Sequence, residues 1–354
     1  MTPVDQVLAL VRPDILALAP YSSARKEAKG GRIWLDANEN PSTPAAGQPL
    51  FNRYPDPQPP DLLAKLAGLY GVPSAQCLVT RGSDEGIDLL LRTFCRAGQD
   101  AILITPPTYG MYVVAAGIQG ARVVTVPLVR NTNFSLDADA VLKAATPEVK
   151  LVFLCSPNNP TGGLLDRGAV LKVVRALAGR AVVVVDEAYV DFADQPSLAT
   201  ELPAHPNLVI LRTLSKAFGL AGARVGTTIA DPAVIAVLQK VIAPYPIPVP
   251  VLLAARVALS DEGLAAARES VATLLAERTR LAGALARLPA VKQVWPSDTN
   301  YLLVAVADSA AAMTLARGTG VIWRDRNKDV PNTIRITVGT AAENNETLEV
   351  MSRV

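Results

Sequence analysis

The chain has 354 residues, half of them apolar and 19% charged, with a formal net charge of +2. That length supports a large core and more than one lobe, and the near-neutral balance points away from nucleic acid and anionic membrane as partners. No apolar run approaches the ~18 residues that span a bilayer.

The N-terminal stretch "MTPVDQVLALVRPDILALAP" carries Asp5, Arg12 and Asp14 and does not read as a signal peptide. "DANENPSTP" and "RYPDPQPPDL" follow as turn-rich segments. Next come short β-rich runs, at 101–105, 121–126, 150–155, 181–186, 208–212 and 226–230, most of them apolar throughout as expected of strands covered on both faces. Helical patterns alternate with them. "SDEGIDLLLRTF" opens at Ser83, read as an N-cap, with Asp84 and Glu85 in its first turn. "LDRGAVLKVVRALAG" is a second helix, stopped by Gly179. Such alternation predicts an α/β fold with a largely parallel sheet.

"APYPIPVPV" (243–251) cannot continue a helix. Beyond it, Leu264, Ala267, Val271, Leu274, Leu275, Leu281, Leu285 and Leu288 trace one face of a long helix, and short strands follow at 291–295, 301–306 and 333–338. The expected division is an N-terminal arm with part of a small domain (1–45), a large domain (46–245) and a smaller α+β domain (246–354).

The cysteines, Cys77, Cys95 and Cys155, form no CxxC pair, which fits a reducing cytoplasm without disulfides or a thiolate zinc site. The single histidine, His205, sits between two prolines and reads as a surface loop residue, so chemistry needing an imidazole base or metal ligand finds no support. No metal site is expected.

Four segments fall where a parallel sheet binds ligands, beyond the carboxyl ends of its strands. "SPNNPTG" (156–162) is a tight turn or part of a site. Asp186 ends a strongly apolar strand, either as a surface carboxylate or as a charge awaiting a partner. Lys216, in "TLSKAFGLAGARVG", is either a solvated lysine or a reagent. The helix opening at Ser83 is either simply capped or binds phosphate through free N–H groups. One ligand satisfies all four. Pyridoxal 5′-phosphate needs a carboxylate at its ring nitrogen, a phenolic donor, a covalent lysine and a phosphate cradle. Neither GxxxxGK[ST] nor a strand-linked GxGxxG competes.

The segments "LDANENP", "YPDPQ", "GSDEGIDLL", "PPTYGMY", "SPNNPTG", "VDEAYVDF", "TLSKAFGLAG" and "IRITVGT" extend the pattern over nearly the whole chain. In them the chain resembles the fold-type I pyridoxal-phosphate aminotransferases and, within that family, its histidinol-phosphate branch. One departure is Ala223, where the family more often has leucine.

The resemblance implies a mostly parallel seven-stranded sheet between helices, a smaller α+β domain, and a homodimer. It implies that Lys216 holds the cofactor covalently and is the catalytic residue. Asp186 would pair with the ring nitrogen, Asn159 and Tyr189 would bond the phenolic oxygen, and Tyr109 would stack on the ring. Ser83, the backbone around Asp84, Ser215 and Arg224 would hold the cofactor phosphate, with Tyr54 reaching it from the neighbouring subunit. Arg335, Arg324 and Tyr21 would bind the substrate's anionic end. The implied substrates are histidinol phosphate and the glutamate/2-oxoglutarate pair. Aromatic amino acid transamination and phosphothreonine decarboxylation are the competing activities on the same scaffold.

Overall fold

The structure is a computed structural model and describes residues 1–20, 33, 35–42 and 51–354. Seven strands form the larger sheet: β1 (Cys77–Thr80), β2 (Ala101–Ile104), β3 (Arg122–Thr125), β4 (Val149–Cys155), β5 (Val182–Asp186), β6 (Leu208–Thr213) and β7 (Gly226–Ile229). Their order is β1-β7-β6-β5-β4-β2-β3, with β7 antiparallel to both its neighbours and the remaining pairs parallel. The six runs are strands to within a residue or two, but β3, at the sheet edge, is exposed or half-buried along its length rather than covered on both faces. Only β1, four residues long, lacked a sequence signal.

β5 shows why these runs do not alternate. Val183 and Val185 enter the hydrophobic cluster on one face of the sheet, while Val182 and Val184 enter the cluster on the other. Both faces are covered, so both sets of side chains must be apolar, each worth ~1.5–3 kcal/mol on burial.

The second sheet has four antiparallel strands in the order β10-β11-β9-β8: β8 (Val291–Val294), β9 (Tyr301–Val306), β10 (Arg324–Asp325) and β11 (Thr333–Thr337). The helix Asp261–Leu285 ties the two sheets together. It is capped by the Ser260 side chain, which accepts from the Gly263 N–H at 3.1 Å. Its Leu264 packs against the larger core, and Val271, Leu274 and Leu275 pack beside Tyr189 and Tyr301. Leu281 and Leu285 then enter the smaller core.

Two packing relations differ from the sequence expectation. The first N-terminal helix (Pro3–Leu8) buries Val7 against the larger sheet rather than the smaller one. The proline run interrupts the chain as expected, yet its last residues open the helix Val249–Ala258, with a proline in the first turn where its missing N–H is harmless. That helix buries Leu252 and Ala255 in the larger core.

Candidate active site

β4, β5 and β6 end side by side, with Cys155 paired to Asp186 across the first two. Asp186 is 2% exposed. Its Oδ2 accepts from the Tyr112 hydroxyl at 2.8 Å and its Oδ1 from the Ala188 N–H at 3.1 Å. Among the described residues no cation lies within ion-pair distance of it. Burial pushes its carboxyl up to about 6, against the lowering effect of those two donors. A buried carboxylate held by two donors and lacking a counter-ion is suited to a cationic partner from outside the chain.

Lys216 lies in the loop from β6 to β7, its Nζ 5.6 Å from the centre of the Tyr189 ring. Burial lowers its ammonium pKa, and the charges of Arg335 and Arg224 lower it further. A lysine so placed gives up its proton readily and becomes a nucleophile or base.

Facing these groups is the start of the helix Gly82–Phe94. Gly82 has φ +74°, and a Cβ there would lie 2.6 Å from Arg224 Nη2. A Cβ on Gly226 would lie 2.5 Å from the Ser83 nitrogen. The two glycines therefore let β7 and the helix start close on each other and bring free N–H groups to the cleft. Ser83 is not the N-cap. Arg81 occupies that position, and the Glu85 carboxylate accepts the Arg81 N–H at 2.6 Å, which leaves the Ser83 side chain on the cleft wall. Arg224, held at φ 57°, places Nη2 3.1 Å from Asp84 Oδ2 and Nη1 3.4 Å from Ser215 Oγ. The Tyr109 hydroxyl donates to the other Asp84 oxygen at 3.0 Å. Asp84 thus contributes its carboxylate as well as its backbone.

The "SPNNPTG" loop forms the next wall and is clamped by the smaller sheet. The Tyr301 hydroxyl donates to the Asn158 carbonyl at 2.7 Å, and the Asp298 N–H donates to the Gly162 carbonyl at 2.7 Å. Asn159 is 4% exposed, and its Oδ1 accepts from Arg335 Nη1 at 2.6 Å. Arg335 also lies over the Tyr301 ring, 5.1 Å from its centre, and burial lowers its pKa. Arg324 stands opposite Arg335 in the β10–β11 ladder.

One cleft gathers nine of the ten expected cofactor residues: Ser83, Asp84, Tyr109, Asn159, Asp186, Tyr189, Ser215, Lys216 and Arg224. The tenth, Tyr54, is half exposed, stacks on Tyr245 at 4.5 Å and lines a different cavity of the same chain. Tyr21 lies outside the described residues. Sequence reasoning missed Tyr112, although "PPTYGMY" carried it three residues beyond Tyr109 at the opening of a helix.

Residues 27–351 match the family model for aminotransferase class I and II. The histidinol-phosphate aminotransferase of Stenotrophomonas maltophilia is 49% identical over 99% of this chain and 97% of its own length. The chain belongs to the histidinol-phosphate aminotransferase family. A second relative in this family, the histidinol-phosphate aminotransferase of Xylella fastidiosa, is 46% identical over 99% of this chain and 97% of its own. The crystal structure of histidinol-phosphate aminotransferase from Sinorhizobium meliloti in complex with pyridoxal 5′-phosphate superposes with a TM-score of 0.77. It is 27% identical and covers 85% of this chain and 82% of that one. The fold is therefore that of the fold-type I aminotransferases, with a mostly parallel seven-stranded sheet and a second, smaller one.

Proposed function

We propose that the protein transfers the amino group of L-histidinol phosphate to 2-oxoglutarate, giving imidazole acetol phosphate and glutamate in histidine biosynthesis, with pyridoxal 5′-phosphate as cofactor. The observation that carries this reading is the meeting in one cleft of a buried, uncompensated carboxylate, a lysine of lowered pKa and an anion cradle, with two arginines beside them.

The donor set fits the cofactor. Asp186 supplies the negative charge a pyridinium nitrogen needs. Ser83, Ser215, Arg224 and the helix-start N–H groups offer donors to a phosphate. Asn159 and Tyr189 would contact the phenolic oxygen, and Tyr109 would stack on the ring. When bound, the cofactor supplies an aldehyde carbon and an electron-accepting ring, which together make the substrate's α-proton acidic. Lys216 is the covalent anchor. Once its amine is free, its Nζ would take the proton from the substrate α-carbon, and its lowered pKa eases the release of that proton afterwards.

Arg335 grips the anionic end of either substrate, since a planar guanidinium fork suits both phosphate and carboxylate. Arg324 and Tyr21 favour the phosphate. Arg324→Ala is expected to raise KM for histidinol phosphate about tenfold, and for glutamate distinctly less, in steady-state assays of the two half-reactions. Equal rises would count against that division of labour.

Tyr54 serves the cleft of a neighbouring subunit in a homodimer, which accounts for its exposed position away from the cleft of its own chain. Among the described residues no helix is long and apolar enough to cross a membrane, and the three cysteines are free and buried. The free, buried cysteines support a place in the reducing cytoplasm.

Glutamate formation from 2-oxoglutarate tests the reading, with histidinol phosphate, phenylalanine and tyrosine as rival donors. Each charged contact to the phosphate is worth ~1.5–3 kcal/mol, so histidinol phosphate should lead in kcat/KM by on the order of 10–100-fold. Parity among the donors would favour aromatic transamination, and carbon dioxide release from phosphothreonine would favour the decarboxylase.

A further inference from the structure

The ladder that sets Arg324 opposite Arg335 sets Asp325 opposite Ile334. Side chains alternate between the faces of a strand, and Ile334 points into the smaller core. Arg324 and Arg335 therefore share the other face, the one on which Arg335 meets Asn159. The pairing continues one step beyond β10. The Arg326 N–H donates to the Thr333 carbonyl at 3.0 Å, and the Thr333 hydroxyl donates back to the Arg326 carbonyl at 3.4 Å. That register brings Arg326 to the same face as Arg324 and Arg335.

The Arg326 side chain is only 19% exposed. Its Nε is buried without a partner, and so is the Nε of Arg335. An unpaired buried N–H is costly, and more so when the group is charged. The charge of Arg326 is felt at both Arg335 and Tyr189, so it lies close to the cleft. Among the described residues one carboxylate answers the three guanidiniums: Asp329, 3.1 Å from Arg326 Nη1. Asp325 lies on the opposite face, where it accepts the Asn327 N–H. Three positive charges and one negative leave a surplus of two on this face. A phosphate monoester dianion matches that surplus, with three acceptor oxygens for the free N–H groups. A carboxylate brings half the charge and two oxygens.

We propose that Arg326 is the third guanidinium of the substrate's anion site and a determinant of its preference for a phosphate monoester over a carboxylate. The proposal rests on the assignment of a phosphorylated amine as substrate.

The test compares Arg326→Gln and Arg326→Lys with the wild-type holoenzyme. It reads kcat and KM separately for histidinol phosphate and for glutamate, and binding of inorganic phosphate to the holoenzyme by calorimetry. In Arg326→Gln, KM for histidinol phosphate should rise about tenfold and at least ~3-fold more than KM for glutamate, while its kcat changes far less. Inorganic phosphate should bind correspondingly more weakly. Arg326→Lys keeps the charge beside Asp329 but loses the fork, and should fall between the two. Should the Gln variant fail to fold, the Lys variant still reports the ratio. A role confined to holding the turn at Asp329 would lower thermal stability and move both substrates equally, and that result would overturn the proposal. So would unaltered phosphate binding in the Gln variant. If the wild-type enzyme does not turn over histidinol phosphate, the substrate assignment fails, and the phosphate titration still decides whether Arg326 belongs to an anion site.

Discussion

Lys216→Ala should lower turnover by ~10²–10⁴-fold or more, the range general acid–base catalysis contributes, because the same amine both anchors the cofactor and carries the proton. A second readout locates the anchor. Borohydride reduction of the wild-type holoenzyme should fix the cofactor in the peptide Thr213–Arg224, because reduction blocks tryptic cleavage after Lys216. The Ala variant should take up no reduced label. Lys216→Arg keeps a positive charge in the cleft without a nucleophilic amine, and should be as inactive as Lys216→Ala. Activity above about a tenth of wild type in either variant, or a label on another lysine, would remove Lys216 from its place in the mechanism.

Asp186→Asn is the second large effect, and it reads on both turnover and stability. At an effective dielectric near 20, unit charges about 4 Å apart interact by ~4 kcal/mol, which is roughly three decades of rate. Asparagine keeps the shape and can still accept from Tyr112, but it no longer holds a proton on the ring nitrogen. Turnover should therefore fall about 10³-fold.

Stability moves the other way in the cofactor-free protein. Asp186 titrates near 3.8 when unfolded and at about 6 when folded. The folded form binds the proton more tightly, so this group's contribution is intact below about pH 4 and is lost as pH rises through about 6. Asparagine has no such loss. The cofactor-free variant should gain on cofactor-free wild type by on the order of 3 kcal/mol between about pH 4 and about pH 7, measured by urea denaturation. Near-normal turnover, or a variant that loses ground as pH rises, would contradict the assignment.

What the sequence reveals and what it hides divide on physical lines. The strands β2, β4, β5 and β6 declare themselves because burial on both faces demands near-continuous apolar runs, whereas β3 at the sheet edge is only half covered. Asp186 stands out because a charge ending such a run needs a reason, and Lys216 because the ligand that suits Asp186 also needs an amine. β10 is hidden because "WRDRN" reads as a solvated charge cluster. Only its pairing with β11 turns the spacing of Arg324 and Arg326 into a shared face. Tyr112 is hidden for a similar reason: its partner lies 74 residues away, and a hydroxyl aimed at a carboxylate leaves no local periodicity. Ser83 was displaced from the cap because a glutamate two positions later reaches back to the helix start, a competition that composition does not resolve.

The reversal of β7 has a wider consequence. Since it runs against β6, the loop between them leaves the sheet at Thr213 and returns to the same edge at Gly226. Lys216 and Arg224 both belong to this one loop, moored at either end by ladder hydrogen bonds. An insertion or deletion there would displace the amine and the guanidinium together. Through changes in that loop's length, covalent attachment and phosphate grip cannot be adjusted independently, so evolution of cofactor handling in this chain is channelled into single-residue changes on a spacing that stays fixed.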